Sequence, residues 1–311
     1  MLRYVLKRFL LLIPVLLVAS FMIYGLMALA PGDPGTAILG TDATPEEIKA
    51  YNHEVGFDQP FLVRYGRFLG NLLLRGDFGI SYRTKQPVMN EILARMPVTA
   101  TVACLCVITA TLVGVPLGVL AAVKQGGLWD TLPTSMAMVI PAIPGFWLGM
   151  LLLYVFAFKL DLVPSFGVES PLGYVLPVLA NSFAGAARLQ RYARSSMVDI
   201  LQTDYVRTAR AKGAKERTVI WQHAMRNGLL PIVTSIAGTL GAFMGGAIVM
   251  ESLFSLPGLG TLTLTALNMR DTPTVVASAL FVSVLFNVIV VLADVVIAFL
   301  DPRVKARYSN K

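Results

Sequence analysis

The chain alternates between long uncharged stretches and short charged ones. Six apolar stretches run at about 9–30, 98–123, 131–158, 170–187, 227–250 and 272–300. A helix rises about 1.5 Å per residue and the bilayer core is about 30 Å thick, so a run of about 18 apolar residues or more reads as a transmembrane helix. Stretches three to five are interrupted by Pro133, Pro141, Pro144, Pro177, Gly238, Gly241, Gly245 and Gly246. In a membrane, such breakers persist only where neighbouring helices or water satisfy the freed backbone groups. The pattern therefore predicts an all-α integral membrane protein, a packed bundle of six transmembrane helices forming one domain over 1–311.

The polar segments carry structure of their own. In the long 31–95 connection, Thr44-Pro45-Glu46-Glu47 has the order of a capping box, with Pro at the first helical position. After Pro60, Phe61, Tyr65, Phe68, Leu69, Leu72 and Leu73 form an apolar stripe at helical spacing. Beyond the fourth stretch, Leu189, Tyr192, Ala193, Met197, Ile200 and Leu201 form another. Arg188, Arg191, Arg194 and Asp199 lie largely off it, so this helix is predicted to continue past the membrane. The chain then reads as helix, Gly213, helix. Tyr205, Val206 and Ala209 give a small apolar face before the glycine, and Val219, Ile220, Ala224 and Met225 give one after it.

Charge sets the expected orientation. Only 14% of residues are charged, against roughly 25% in soluble domains. With the N-terminus inside, Arg3, Lys7, Arg8, Lys124, nine Lys and Arg between Arg188 and Arg226, and four at the C-terminus all face the cytoplasm. The short outside loops hold only Lys159 and Arg270, and the long 31–95 loop is discounted because long loops translocate largely regardless of charge. Both termini are thus expected inside. The net charge of +8 is mostly topological and points to anionic lipid, not to nucleic acid. The first stretch is expected to remain as an uncleaved anchor, because it is long for a signal peptide and Pro31 follows Ala28-Leu29-Ala30. Cys104 and Cys106 point to different helix faces, and His53 and His223 stand apart, so no metal site is expected.

The least expected segment is "DYVRTARAKGAKERTVIWQHAMRNGLLP" at 204–231. Its "RTARAKG" (207–213) and later "LLP" (229–231) resemble the EAA loop of the permease subunits of ABC importers for dipeptides, oligopeptides and nickel. Arg207 and Thr208 replace the usual Glu and Ala, and the Gly-to-Pro gap is longer, as is common in that branch. Further matches are "APGDP" (30–34), "YGRFLGNLLLRGDFGISY" (65–82), "RSSMVDIL" (194–201), "ESLFSLPGLG" (251–260), "RDTP" (270–273) and "LDPR" (300–303). The long first outside loop is similar to that of the B-type member of the usual permease pair. The resemblance implies a type I importer permease fold in the bacterial inner membrane. It also implies three kinds of partner: a second permease, two ABC ATPases and an external substrate-binding protein. The loop would then be the coupling helix that docks in an ATPase cleft, with Tyr205, Arg207, Ala209, Arg210, Gly213, Ala214 and Arg217 as its contact residues.

The residues themselves agree with a divided machine. The chain has no G-x-x-x-x-G-K-[ST] phosphate loop, so ATP and Mg would be used by the partner ATPases and no cofactor is expected on this chain. A small-residue helix pair hinged on one glycine and flanked by Arg and Lys suits a handle on an acidic rim. A lipid-facing basic loop explains the charge but not the helix–Gly–helix pattern. For the path, Asn287, Asp294 and Asp301 are spaced by seven on one face of the last helix. Asp294 reads either as a path residue or, preferably, as one half of a salt bridge whose partner is expected in the basic loop. Glu251, Phe254, Pro257 and Gly258 read equally as a re-entrant gate or as a tight loop with Phe254 packed back on the bundle. The expected function is a non-enzymatic permease for dipeptides or oligopeptides by alternating access, with nickel or a metal chelate as the alternative cargo. A secondary transporter is disfavoured by the lack of an inverted repeat and by the few intramembrane charges available for ion coupling.

Overall fold

The computed structural model describes residues 2–40, 42–245 and 247–300. Gly246, Asp301 and the basic C-terminal residues lie outside them. Among the described residues the chain is helical, with one isolated antiparallel bridge between Ile80 and Pro87. Fourteen α-helices follow in chain order. They are α1 (Leu2–Leu29), α2 (Pro34–Leu39), α3 (Pro45–Glu54), α4 (Phe61–Arg75), α5 (Val88–Val123), α6 (Leu128–Val139), α7 (Gly145–Leu152) and α8 (Val175–Leu201). After these come α9 (Asp204–Ala211), α10 (Glu216–Thr218), α11 (Met225–Gly245), α12 (Ala247–Leu253), α13 (Leu259–Asn268) and α14 (Thr272–Leu300).

Among the described residues three helices are long and apolar enough to cross a membrane: Arg8–Leu29, Val88–Val123 and Thr272–Ile297. Two bent pairs bring the number to five. Leu128–Ala142 and Gly145–Lys159 meet at 95°, and Glu216–Leu229 and Pro231–Gly245 meet at 53°. The third apolar stretch is therefore not one straight helix. Pro144 forces Ile143 into extended backbone (φ −83, ψ 120), which ends one helix before the next begins. The helix of the fourth stretch starts later than expected and, as expected, continues beyond the apolar run. α8 is a single 27-residue helix that carries Arg188, Arg191, Arg194 and Asp199 on the way to Leu201, too many charges for a uniformly apolar crossing.

α5 and α8 pack along a seam of small residues, Ala110, Gly114 and Gly118 against Ala186, Gln190 and Ala193. Near the end of that seam Arg194 donates two hydrogen bonds to Asp130 at the start of α6, at 2.5 and 2.8 Å. The amide of Gly126 and the hydroxyl of Thr134 also donate to this carboxylate. α8 is thus fixed against both α5 and α6. Outward positions of α1 and α5 are apolar, with Leu10, Leu11, Val15, Leu26, Ile108 and Leu112 all exposed as a lipid-facing surface requires.

At the opposite end, the segment between α1 and α5 forms a cap. The Thr44–Glu47 capping box is present in both directions, and the Thr44 amide and hydroxyl hold the Glu47 carboxyl below its usual range. The α4 stripe packs on α1 and α14 through Phe68, Tyr24, Val276 and Leu280, whereas Leu73 stays exposed. Buried Asp271, just before α14, accepts from Ser81 Oγ (2.5 Å), Tyr82 N (3.1 Å) and Thr274 Oγ1 (2.9 Å), tying the cap to the bundle.

Candidate functional site: a basic handle and a polar helix face

The apolar anchor of α9 is Val206, with Ala209 packed beside it. Val206 is fully buried in a cluster with Met197 of α8, Val219, and Ala224 and Met225 at the start of α11. The apolar faces expected around Gly213 therefore close on each other. Tyr205, Arg207, Arg210, Gly213 and Arg217 remain exposed, with Ala209 and Ala214 half-buried beneath them. Arg210 forms a fork with Glu216 (2.7 and 3.1 Å), bracing the helix before the glycine against the one after it. The Tyr205 hydroxyl accepts from Asn227 Nδ2 at 2.9 Å. Gly213 has φ +80, where a side chain is strained, and a Cβ placed there would meet nothing within 4 Å. Its role is conformational: it reverses the chain after α9 so that both short helices present one surface.

The second feature was not expected from the sequence. α8 and α11 flank a cleft, and Arg188 borders both of its cavities, of 490 and 160 Å³. α8 contributes Asn181, Arg188 and Tyr192, which share a face at a spacing of seven and four. α11 contributes Thr234, Ser235, Gly238 and Thr239. Arg188, Tyr192, Thr234 and Gly238 are exposed. This surface contrasts with the apolar outward faces of α1 and α5, because an arginine and a row of hydroxyls are costly against hydrocarbon. It suits water or cargo. Arg188 escaped the sequence reading because the fourth stretch was closed at the first charge, which placed Arg188 in the basic loop.

The path residues expected from the sequence sit elsewhere. Glu251 is fully buried and caps α13: Oε2 accepts from Gly260 N (2.7 Å) and Thr261 N (3.1 Å), and Oε1 accepts from Thr99 Oγ1 of α5 (2.6 Å). Thr99 Oγ1 in turn accepts from Leu259 N at 2.8 Å, so the first amides of α13 are all engaged. Gly258 is required by this arrangement, since a Cβ there would lie 2.3 Å from the Glu251 carboxylate. Phe254 and Leu256 are packed in the core and Pro257 turns the chain between α12 and α13, the tight-loop arrangement. Asn287 donates to Ser283 O within its own helix at 2.9 Å. Asp294 pairs with Arg8 of α1 at 3.0 Å, so its partner lies in the first helix and not in the basic loop.

A bundle of long apolar helices, with a polar face on α8 and a basic handle directly after it, is the arrangement a transport permease needs. Residues 114–306 match the family described as "Binding-protein-dependent transport system inner membrane component", and residues 1–103 match its companion N-terminal family. The chain belongs to this family. It is 39% identical over 305 residues to the glutathione transport system permease protein GsiC of Salmonella paratyphi A, covering 98% of this chain and 99% of that one. To the protein of the same name from Escherichia coli (strain K12) it is 37% identical with the same coverage. A solved structure of the MetNI methionine ABC transporter, inward facing, has a like fold, with TM-score 0.60, 16% identity, and coverage of 68% of this chain and 97% of that chain. The chain is thus the permease component of a binding-protein-dependent ABC importer, a transport component and not an enzyme.

Proposed function

We propose that this permease imports peptides across the bacterial inner membrane. It works with a second, related permease, two ABC ATPases that use ATP and Mg, and an external substrate-binding protein. α1, α5, the bent α6–α7 pair, α8, α11 and α14 make six crossings. The basic end, with both termini, is cytoplasmic, which agrees with the distribution of Lys and Arg in the short loops. The relatives named for glutathione, a tripeptide, support a peptide cargo.

The observation that carries the mechanism is the continuity of α8. This one helix bears the polar face at Asn181, Arg188 and Tyr192. About 20 Å further along by helical rise, it hands the chain to α9. Its lower half is clamped to α6 by the Arg194–Asp130 fork. A displacement of α9 by an ATPase therefore moves the cargo face with little loss in bending. Closure of the ATPases turns the cleft outward to receive peptide, and their separation turns it inward to release it.

The test is to tag the chain, extract it gently from its native membrane and identify what co-purifies by mass spectrometry. Two P-loop ATPase chains and one related permease in stoichiometric amounts are expected, with peptide-stimulated ATP hydrolysis in the reconstituted complex. A chain isolated alone that still transports peptide after reconstitution without ATP would overturn the reading.

A further inference from the structure

We propose that Arg188 and Thr239 form a carboxylate-binding subsite within the translocation cleft, so that the permease itself, and not the binding protein alone, selects cargo. The inference rests on the peptide-import reading above. Three observations support it.

Arg188 lies 13 residues into α8, about 20 Å from the start of that helix, well within the depth of a bilayer core of about 30 Å. It makes no ion pair among the described residues, and neither cavity it borders is lined by Asp or Glu. Other arginines close to the bundle are differently placed: Arg8 faces Asp294 and Arg194 faces Asp130. An unneutralised guanidinium at this depth is costly unless something in the cleft completes it.

Thr239 borders both cavities and is 2% exposed, yet its hydroxyl makes no hydrogen bond. Buried hydroxyls in helices ordinarily bond a carbonyl one turn back, as Ser283 Oγ does to Ala279 O at 2.8 Å. An unused buried hydroxyl lining the same two cavities as a guanidinium without an ion pair is an incomplete polar site.

The remaining lining sets the ligand class. Asn181, Tyr192 and Ser235 add neutral donors and acceptors around a single positive charge. A guanidinium binds a carboxylate with two parallel N–H···O bonds, and a hydroxyl can donate a third to the same group. The 490 Å³ cavity is of a size to hold a small peptide. The carboxylate can come from the peptide C-terminus or from an acidic side chain, and the experiment separates the two.

The complete importer is reconstituted in proteoliposomes with saturating binding protein. ATP-driven uptake of glutathione, tri-alanine and tri-alanine amide is measured for wild type, Arg188→Gln and Arg188→Lys, together with ATP hydrolysis. Arg188→Gln should lower glutathione and tri-alanine uptake roughly tenfold to a hundredfold, the loss expected for a charge-assisted hydrogen-bond pair. Arg188→Lys should restore part of the uptake, and uptake of the amide, which lacks the terminal carboxylate, should change far less than that of tri-alanine when each is taken per ATP hydrolysed. A loss confined to glutathione would assign the subsite to its additional carboxylate and not to a peptide C-terminus. Wild-type uptake in Arg188→Gln, or a loss for the amide as large as for tri-alanine, would overturn the subsite and leave peptide import standing. No uptake of any of the three by wild type would remove the peptide reading and this inference with it.

Discussion

The buried carboxylate of Glu251 gives a sharp energetic test. Glutamine at this position keeps the shape and one acceptor. If its oxygen faces the Gly260 and Thr261 amides, its NH2 must face Thr99 Oγ1, which already accepts from Leu259 N. The Thr99 O–H then loses its acceptor, and the α13 amides lose a full negative charge at the helix N-terminus. One unsatisfied buried donor costs about 1–3 kcal/mol and the lost charge adds about 1 kcal/mol, so Glu251→Gln should cost about 2–4 kcal/mol. Gly258→Ala should cost at least as much, because its Cβ would lie 2.3 Å from Cδ and both oxygens of Glu251 and must drive the carboxylate off α13. Removing the carboxylate frees that space, so Glu251→Ala/Gly258→Ala should be no less stable than Glu251→Ala alone. The assay is thermal unfolding in detergent in a Cys104→Ser background, read by exposure of fully buried Cys106 to a thiol-reactive fluorophore. Glu251→Gln and Gly258→Ala should each melt several degrees below the parent. Gly258→Ala melting with the parent, or a double variant that falls by the sum of its parts, would refute the geometry.

Gly213→Val places a β-branched residue at φ +80 in open space, a local strain of about 1–3 kcal/mol with no clash. The variant should insert normally while ATP hydrolysis loses its dependence on peptide, checked by hydrolysis in the reconstituted complex. Asp294→Asn and Arg8→Gln should each lower stability by about 2 kcal/mol, and the double variant should fall no further than either, as measured by the same melting assay. Asp130→Asn replaces the doubly accepting carboxylate of the Arg194 fork with one neutral acceptor at a nearly buried site and should cost about 2 kcal/mol. Its uptake per ATP hydrolysed should also fall, if α8 transmits motion as one body.

The sequence made local features legible and hid those set by distant partners. The Thr44–Glu47 box, the α4 stripe and the turn at Gly213 were readable because each depends on residues within a few turns of one another. The bend in the third apolar stretch was signalled by Pro141 and Pro144, but its 95° angle was not. Glu251 was hidden as a helix cap because it reaches amides nine and ten residues on, outside the N-cap spacing, and its other partner, Thr99, precedes it by 152 residues. The Arg8 partner of Asp294 comes from the other end of the chain. Arg188 was hidden for a different reason. Hydropathy closes a transmembrane segment at its first charge, although a charge is what a transport cleft retains. The spacing holds the clue: Tyr192, grouped with the apolar stripe in the sequence, is exposed and instead shares a face with Asn181 and Arg188, away from the buried Leu189, Ala193 and Met197.

The central claim is that the α8–α11 face lines a water-accessible path. The most direct test is thiol labelling of Ser235→Cys and Gly238→Cys in a Cys104→Ser background, with Leu112→Cys on the apolar surface of α5 as control. The intact importer in proteoliposomes is treated with a membrane-impermeant methanethiosulfonate reagent, presented from each side, with and without trapped ATP. Both cleft cysteines should react, from a side that changes with ATP, while Leu112→Cys stays unlabelled. Cleft cysteines as inert as Leu112→Cys from both sides in both states would contradict the account.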